Sequence, residues 1–310
     1  MTKRVLVTGG GGFIGSHLVD RLLEYGSHVR VLDNFSTGQR KNLQHALAHI
    51  ELIEGDLRSV EVVQRAVTGI EVVFHQGALP SVPRSISDPE TSNAVNITGT
   101  LNLLLAARNA GVRRVIVASS SSVYGDTPTL PKIESMATSP LSPYAISKLA
   151  TEQYACVFAR LYELEAVALR YFNVFGPRQD PASQYSGVIA RFCTAALQGQ
   201  PCTVYGDGLQ SRDFTYVQDV VQANVLAANA PDASGHFFNI ACGMQITLLA
   251  MIQLLEQFTG RSISVKNEPP RPGDVRHSSA NIDKARQLLG YEPRIGFAEG
   301  LAQTLEWYRD

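Results

Sequence analysis

The amino-acid sequence predicts an α/β fold, a doubly wound parallel sheet followed by a smaller and less regular C-terminal α/β domain. Short β-branched runs alternate strictly with longer segments of helical period through the first 170 residues, which is typical of parallel strands joined by crossover helices. Several runs are almost continuously apolar, as strands are when helices cover both faces of a sheet. After Arg170, proline and glycine become frequent and the alternation stops, which indicates the second domain.

The individual elements can be placed from their local patterns. We expect strands at residues 4–8, 28–32, 50–54, 72–75, 114–118 and 166–170. Between them, the helical pattern covers residues 14–24, 59–67, 92–109 and 143–162. The last of these helices has a clear start, with Ser142 as N-cap and Pro143 at the first helical position. Beyond them we expect helices at residues 188–197, 217–228, 248–258 and 297–308.

The change of pattern divides the 310 residues into two predicted domains. We expect residues 1–172 to form the first domain and residues 173–310 to form most of the second, with a short later segment at 237–241 returning to the first. A chain of this length buries about 75% of the surface that its unfolded form exposes, so its core needs no disulfide or metal.

Charge and composition exclude several classes of partner. Lys and Arg total 27 against 28 Asp and Glu, so we expect neither nucleic acid nor an anionic membrane as a partner, because both require a basic excess. The four cysteines form no CxxC pair and no metal-ligand cluster, which predicts no metal and a reducing compartment. The apolar run at Val5 stops at Gly9, too short for a signal peptide or a membrane span. We therefore expect a cytoplasmic protein.

A glycine-rich turn directly follows the first strand. Residues 8–15 read TGGGGFIG and lead into the first helix. Glycines let the backbone turn tightly and approach a pyrophosphate, whose charge the helix N-terminus then holds. Because a strand precedes the motif and a helix follows it, the motif predicts a dinucleotide site in a Rossmann domain.

Two carboxylates extend this predicted site. Asp33 ends the second strand, eighteen residues after Gly15, where a carboxylate accepts hydrogen bonds from the adenine ribose and repels a 2′-phosphate. This position favours NAD over NADP, although Asp33-Asn34 alone is also typical of a turn. Asp56, at the end of the third strand, can reach the adenine edge, although it too is an ordinary turn residue.

Tyr144 and Lys148 are the candidate catalytic pair. They lie four residues apart on one helix, so they share a face on which the ammonium can stabilise a phenolate and lower the pKa of the tyrosine. Upstream, the serines of residues 119–122 follow the fifth strand, at the edge where ligands of such sheets bind. One of these hydroxyls can bind the reacting substrate oxygen and share its proton with Tyr144.

Motifs along the whole chain resemble one enzyme family. The turn at residues 8–15, YAISK (144–148) and SSSSVYG (119–125) resemble the extended short-chain dehydrogenase/reductase superfamily. Further motifs resemble the UDP-hexose 4-epimerases, most closely those acting on UDP-N-acetylglucosamine: HQGALPSVPRSISDP (75–89), RYFNVFGPRQDP (170–181), GDGLQSRDFTYVQD (206–219) and RPGDVRHS (271–278). The resemblance implies that tightly held NAD takes a hydride from carbon 4 of a UDP-sugar and returns it after the 4-keto sugar has rotated.

The resemblance also implies a role for individual residues. Tyr144 would be the base, Lys148 would tune it and bind the nicotinamide ribose, and Ser120 would be the hydroxyl partner. The implied NAD contacts are Gly9, Gly12, Phe13, Ile14, Gly15, Asp33, Asn34, Ser36, Gly38, Asp56, Leu57, Gln76, Asn96, Ser119, Tyr144, Lys148 and Phe172. The implied UDP-sugar contacts are Ser81, Ser120, Tyr144, Asn173, Gly187, Val188, Val204, Tyr205, Arg212, Arg271, Asp274 and Ser278.

A few positions refine the implied reaction. Relatives that dehydrate or decarboxylate the sugar carry a glutamate at the position of Ser122, often with Asp or Cys at that of Ser121, so these serines favour simple epimerisation. Ser278 stands where epimerases restricted to UDP-glucose have a tyrosine, which implies room for an N-acetyl group as well as for UDP-glucose and UDP-galactose. By the same resemblance, Pro80 stands where similar epimerases have a glycine, and Arg84 suggests a UDP-uronic acid as an alternative.

Three alternatives stay open at this point: a UDP-uronic acid 4-epimerase, a nucleotide-sugar dehydratase or decarboxylase of the same fold, and a non-catalytic NAD-binding regulator. The last predicts loss of Tyr144 or Lys148, and both are present. The resemblance also implies a homodimer built from the helices at 92–109 and 143–162, which have more apolar positions than one buried stripe requires.

Overall fold

The computed structural model describes residues 3–181, 187–269 and 276–309. The strands that precede residue 172 are β1 (Arg4–Thr8), β2 (His28–Asp33), β3 (Ile50–Glu54), β4 (Val72–His75), β5 (Arg114–Ser120) and β6 (Glu165–Tyr171). Later strands are β7 (Val174–Phe175), β8 (Cys202–Tyr205), β9 (Ser211–Arg212), β10 (Thr215–Tyr216), β11 (Phe237–Ile240), β12 (Ile246–Thr247) and β13 (Val265–Glu268).

The helices alternate with these strands in the first half of the chain. The first six are α1 (Phe13–Glu24), α2 (Val60–Val67), α3 (Val82–Ser87), α4 (Pro89–Asn93), α5 (Gly99–Asn109) and α6 (Pro143–Leu161). The remaining ones are α7 (Val188–Gln198), α8 (Val217–Asn229), α9 (Leu248–Thr259), α10 (Asp283–Leu289) and α11 (Phe297–Arg309).

The central sheet has seven parallel strands in the order β11-β6-β5-β4-β1-β2-β3. Alternate side chains of a strand point to opposite faces, and β1 shows the result. Val5 and Val7 pack in a core that includes residues of α1 and α8, whereas Leu6 packs in a second core with residues of α2, α5 and α6. Both faces are therefore covered, and the predicted doubly wound α/β fold is confirmed.

The helix expected at residues 92–109 begins earlier than predicted. Asp88 caps α4 by accepting a hydrogen bond from the backbone N–H of Thr91 at 3.0 Å, and Pro89 follows it at the start of the helix. The chain then continues through a short π-helical segment, Ala94–Thr98, into α5. The Asp-Pro pair is an ordinary helix start signal, so the later start predicted at Ser92 was wrong.

Two cores cover the central sheet and form what we call the first lobe, and a third core forms the second lobe. The third core brings together residues of α7, α9 and α11 with residues of β7, β8 and β10. The short strands around it form two-stranded pairs, β10 with β7, β12 with β9 and β13 with β8. The chain also returns to the first lobe after residue 216, because α8 packs against α1 and β11 pairs with β6.

The described helices and the acidic, histidine and cysteine side chains bear on membrane spans, metal sites and disulfides. No described helix is long and apolar enough to cross a membrane. Within residues 3–181, 187–269 and 276–309, no group of three or more His, Cys, Asp or Glu could hold a metal ion. The four cysteines are free thiols, and Cys156, Cys193 and Cys202 are buried.

A buried ion pair joins the sheet to α6. Arg170 of β6 donates two hydrogen bonds to Glu152 of α6, from Nε at 2.7 Å and from Nη2 at 2.6 Å. Neither residue reaches solvent, at 1% and 0% exposed. Ser119, near the end of β5, donates to the same carboxylate at 2.9 Å. The pair therefore links β5, β6 and α6 at one point.

This pair predicts a large loss of stability for Glu152→Gln, because the substitution leaves Arg170 buried without a counter-charge. We expect the free energy of unfolding to fall by about 3–5 kcal/mol. The control is Glu292→Gln, which disrupts an exposed pair with Arg286 and should cost less than about 1 kcal/mol. Urea titrations of both variants measure the difference, and equal losses would contradict the prediction.

Candidate active site

A cleft of about 750 Å³ opens at the carboxyl ends of the parallel strands. Ligands of doubly wound sheets bind at this edge, which makes the cleft the candidate active site. It brings together most of the residues expected to bind NAD, namely Gly9, Gly12, Phe13, Ile14, Gly15, Asp33, Asn34, Ser36, Gly38, Asp56, Leu57, Gln76, Ser119, Tyr144 and Lys148.

The glycine-rich turn has no room for side chains. Gly9 has a φ of 70°, which lies in the left-handed region that glycine adopts without strain. A Cβ on Gly15 would lie 2.1 Å from the carbonyl oxygen of Gly9, so this close approach requires glycine. No side chain caps α1 at Gly12, and the first N–H groups of the helix can therefore bind an anion.

Asp33 lies at the end of β2 with both carboxylate oxygens held by the backbone. Oδ2 accepts from the N–H of Gly11 at 2.8 Å and Oδ1 from the N–H of Phe35 at 2.7 Å. Burial raises the pKa of this carboxyl above its usual value, and the backbone hydrogen bonds oppose the shift. The remaining lone pairs can accept hydrogen bonds from ribose hydroxyls.

Asp56 supplies a second fixed carboxylate. Nδ2 of Asn34 donates to its Oδ2 at 2.8 Å, and Nη2 of Arg58 donates to the same oxygen at 2.8 Å. The hydrogen bond from Arg58 is the main cause that lowers the pKa of Asp56 to about 2. The side chain is therefore ionised at every physiological pH.

The wall of the cleft contains a polar network that the sequence analysis missed. The hydroxyl of Tyr171 donates to Oε1 of Gln76 at 3.1 Å, Nε2 of Gln76 donates to Oδ1 of Asn224 at 3.0 Å, and Nδ2 of Asn224 donates to the tyrosine oxygen at 2.8 Å. Burial raises the pKa of Tyr171 to about 12, so its hydroxyl stays protonated. The network fixes the side chain of Gln76 from β6 and α8.

Tyr144 and Lys148 both line the cleft from α6. Nζ of Lys148 lies 6.0 Å from the centroid of the tyrosine ring and donates to the carbonyl oxygen of Ala118 at 2.9 Å. The side chain of Ser120, at the end of β5, lies beside that of Tyr144. Ser122 orients Ser120 by donating to its Oγ from the backbone N–H at 3.2 Å and from its own hydroxyl at 2.9 Å.

Burial is the largest cause of the pKa shifts of both Tyr144 and Lys148. It raises the pKa of Tyr144, opposed by the hydrogen bond with Ser120, and it lowers the pKa of Lys148 to about 8. The expectation that Lys148 lowers the pKa of Tyr144 below its usual value is therefore wrong for the protein alone, because desolvation of the phenolate outweighs other effects. Lys148 still carries a positive charge at neutral pH.

A second cavity of about 250 Å³ adjoins the cleft. Gln179 and Gly187 line both, so the two spaces meet at these residues. Residues expected to bind a UDP-sugar that line the second cavity are Asn173, Gly187, Val188, Tyr205 and Arg212.

Asn173 has a left-handed backbone, with a φ of 35°. Its Nδ2 donates to the carbonyl oxygen of Asp213 at 3.0 Å and to Oγ of Ser278 at 3.1 Å. The buried carboxylate of Asp213 accepts from the backbone N–H groups of Cys242 at 2.9 Å and Ala280 at 3.1 Å. Burial raises the pKa of Asp213 to about 6. Asp213 thereby holds together the segments that carry Asn173, Arg212 and Ser278, all expected to contact the UDP-sugar.

Three expected contact residues lie behind the walls rather than on them. Asn96, Phe172 and Val204 are 1%, 1% and 0% exposed, so their side chains have no surface for a ligand. Asn96 instead accepts from the backbone N–H of Leu79 at 2.7 Å. Phe172 and Val204 are parts of hydrophobic cores.

The end of the cleft near Tyr144 is bounded by a short turn. Pro80 and Arg84 line the cleft there. Ser81 has a φ of 106° and caps α3 by accepting from the backbone N–H of Arg84 at 3.3 Å. Arg271 and Asp274 lie outside the described residues.

The second cavity also contains polar residues that the sequence analysis did not select. Gln179 belongs to the motif RYFNVFGPRQDP (170–181), and Gln210 belongs to GDGLQSRDFTYVQD (206–219). Oε1 of each is buried with no hydrogen-bond partner in the described part of the chain. Buried acceptors are normally satisfied, so both oxygens are available to a polar ligand.

A glycine-cradled dinucleotide cleft with tyrosine, lysine and serine at its sheet edge defines an enzyme of the short-chain dehydrogenase/reductase type. The profile of the NAD dependent epimerase/dehydratase family matches residues 5–241. The chain belongs to this family, and its resemblance to the UDP-hexose 4-epimerases is confirmed.

Individual relatives match along nearly the whole chain. A UDP-glucose 4-epimerase of Mycolicibacterium smegmatis is 40% identical over 314 residues and 99% of each chain. The UDP-N-acetylglucosamine 4-epimerase from Methanobrevibacter ruminantium, solved with UDP-N-acetylmuramic acid, has a TM-score of 0.95 and 40% identity over 99% of this chain and 98% of that one. The Thermus thermophilus UDP-glucose 4-epimerase, solved with NAD, has a TM-score of 0.91 and 40% identity over 99% of each.

The geometry of the turn predicts that Gly15→Ala loses NAD. The new Cβ would meet the carbonyl oxygen of Gly9 and displace the start of α1, so we expect binding to weaken by at least about tenfold, or 1.4 kcal/mol. The control is Gly296→Ala, where a Cβ meets nothing within 4 Å. The nucleotide released from each purified variant after denaturation is quantified. Equal NAD content in the two variants would contradict the prediction.

Proposed function

We propose that the protein is an NAD-dependent 4-epimerase that interconverts UDP-N-acetylglucosamine with UDP-N-acetylgalactosamine, and UDP-glucose with UDP-galactose, through a 4-keto intermediate. The observation that carries this proposal is the group of Ser120, Tyr144 and Lys148 at a cleft that continues into a second cavity. The family to which the chain belongs supports the same reaction.

The residues of the cleft fit NAD. The N–H groups at the start of α1 would hold its pyrophosphate, in a cradle that a Cβ at Gly15 would fill. Asp33 would accept hydrogen bonds from the hydroxyls of the adenine ribose, and Lys148 would bind the nicotinamide ribose. When bound, NAD supplies a carrier that accepts a hydride from carbon 4 of the sugar and returns it.

Tyr144 moves the proton that accompanies this hydride. Its oxygen takes the proton of the 4-hydroxyl as carbon 4 is oxidised and returns a proton when the ketone is reduced. Because burial raises the pKa of Tyr144, the ionised phenolate depends on nearby positive charge, which Lys148 supplies below a pH of about 8. Ser120 donates to the substrate oxygen and keeps it beside the tyrosine.

Ser122 supports epimerisation over loss of water or carbon dioxide. Both of those reactions need an additional acid or base close to the sugar. The hydroxyl of Ser122 is instead committed to Ser120 at 2.9 Å. The position that would carry the extra catalytic group therefore serves to orient the hydroxyl partner of Tyr144.

The second cavity would hold the UDP moiety. Arg212 lines it, and a guanidinium pairs well with the oxygens of a diphosphate. Asn173, Asp274 and Ser278 would make further contacts with the UDP-sugar, and Arg271 would be a second cation for the diphosphate. The short side chain of Ser278 leaves space for an N-acetyl group, which supports acetylated UDP-sugars as substrates.

We expect Tyr144→Phe to abolish epimerisation while leaving NAD bound, because it removes the proton acceptor but keeps the ring. The wild-type protein, assayed without added NAD, should convert UDP-N-acetylglucosamine, UDP-N-acetylgalactosamine, UDP-glucose and UDP-galactose to their 4-epimers. Chromatographic separation of the epimers measures the conversion. Unchanged turnover in the variant would refute the role of Tyr144.

The same assay tests the substrate class. Activity confined to UDP-glucose and UDP-galactose would contradict the space assigned to an N-acetyl group. Because Arg84 lines the cleft and guanidinium groups pair with carboxylates, UDP-glucuronic acid is included. Conversion of that sugar alone would replace the proposed substrates with a UDP-uronic acid.

We also propose a homodimer built from α5 and α6. Ile146, Val157 and Leu161 of α6 are 53%, 40% and 69% exposed. Their spacing places them on one side of the helix, and an apolar surface of this kind supports a self-complementary contact with a second copy.

Val157→Glu should therefore convert the protein to a monomer, because a buried carboxylate in a two-fold interface would face its own copy. The control is Leu47→Glu, at an apolar residue that is similarly exposed, at 49%, but lies outside α5 and α6. Light scattering measures the mass of each variant. A wild-type monomer, or a dimer that survives the first substitution, would count against this interface.

We further propose that residues 1–172, with 237–241, serve mainly to bind NAD, and that residues 173–310 mainly hold the UDP-sugar. The pairing of β11 with β6 and the lining of the second cavity support this division. The four free thiols support a cytoplasmic location.

A further inference from the structure

The backbone of Tyr144 is bound by a side chain from a distant segment. At the start of α6, Oγ of Ser142 accepts from the N–H of Ala145 at 3.1 Å, and Pro143 has no N–H to offer. The N–H of Tyr144 has no acceptor within its own helix, because the first N–H groups of a helix never do. It donates instead to Oγ of Ser85 at 3.0 Å.

The hydroxyl of Ser85 has a carbonyl acceptor on its own helix. It donates to the carbonyl oxygen of Val82 at 2.8 Å, which leaves its lone pairs for the N–H of Tyr144. The side chain is completely buried, at 0% exposed, so water cannot replace it. Ser85 belongs to α3, whose neighbouring residue Arg84 lines the cleft. One hydrogen bond thus connects the backbone of Tyr144 to the helix that carries Arg84 at the same end of the cleft.

A second connection runs from the other side of the same residue. The carbonyl oxygen of Tyr144 accepts from Oγ of Ser147 at 2.8 Å, and that hydroxyl accepts from Nδ2 of Asn96 at 3.0 Å. Asn96 also accepts from the N–H of Leu79 at 2.7 Å, and Leu79 lines the cleft. Residues 79–85, which we name the wall segment, are therefore linked to the N–H of Tyr144 directly and to its C=O through Asn96 and Ser147.

We propose that Ser85 is a positioning residue for the epimerase reaction, which holds the backbone of Tyr144 at a fixed distance from the wall segment. This inference rests on the function proposed above. During the reaction the base must meet the same sugar oxygen before and after the ketone turns, whereas the sugar changes its contacts. Small displacements of a reacting group cost rate more than they cost binding. Ser85 acts on the rate through Tyr144 and touches no substrate.

Ser85→Ala tests this role, because it removes the acceptor and leaves the N–H of Tyr144 buried without a partner. We expect kcat to fall by about tenfold, with KM for the UDP-sugar within about twofold and with NAD content unchanged. The matched control is Ser87→Ala. Its hydroxyl also donates to a carbonyl three residues earlier, that of Arg84 at 2.9 Å, but it is exposed, and we expect wild-type kcat and KM.

The variants separate positioning from a purely structural role. Ser85→Thr keeps the hydroxyl and should recover most of the lost rate. Wild-type kcat in Ser85→Ala would overturn the proposal, as would an equal fall in Ser87→Ala or a loss of bound NAD together with a raised KM. Absence of 4-epimer with the wild-type protein would overturn the proposed function and this inference together, whereas an active wild type with an unaffected Ser85→Ala overturns the inference alone.

Discussion

The placement of the catalytic helix depends on one buried ion pair. Arg170 donates two hydrogen bonds to Glu152 in the protein interior, and Ser119 donates to the same carboxylate. Buried charges tolerate little change in geometry, since losing a partner leaves the other uncompensated. Lys148 and Tyr144 lie about one and two helical turns before Glu152, so their depth in the cleft follows from this pair. The strand that carries Ser119 continues directly to Ser120, and one contact thereby aligns all three groups of the site.

Charge in this protein is placed locally rather than accumulated. The whole chain has a formal charge of −1, yet Asp33 and Asp56 stand at one part of the cleft and Lys148 at another. Arg212 adds a cation in the second cavity. A ligand in which a diphosphate joins two neutral sugars needs only such isolated charges. Near neutrality of the chain is therefore compatible with anionic ligands, provided that they are small.

Much of the fold was predictable because its signals are local. Apolar strands, the TGGGGFIG turn and the cap at Ser142 each depend on a few consecutive residues. The network of Gln76 with Asn224 was not predictable, because it joins residues 148 positions apart and nothing in the motif around Gln76 indicates Asn224 as its partner. The raised pKa of Tyr144 was missed for a related reason, since the spacing to Lys148 shows the charge but not the depth of burial. Asn96 illustrates the opposite error. Its motif position indicated a contact with NAD, but its buried side chain binds the backbone of Leu79 instead.

The interleaving of the two lobes has a consequence for how the protein is made. The edge strand β11 joins β6 only after the intervening residues have crossed to the second lobe and back. A ribosome must therefore deliver about three quarters of the chain before the first lobe can close its sheet. Until then the edge of β6 is unpaired, and exposed strand edges invite pairing with other chains. For the same reason the lobes cannot be exchanged between relatives by a single crossover of their genes, because a cut between β6 and β11 takes these paired strands from different parents.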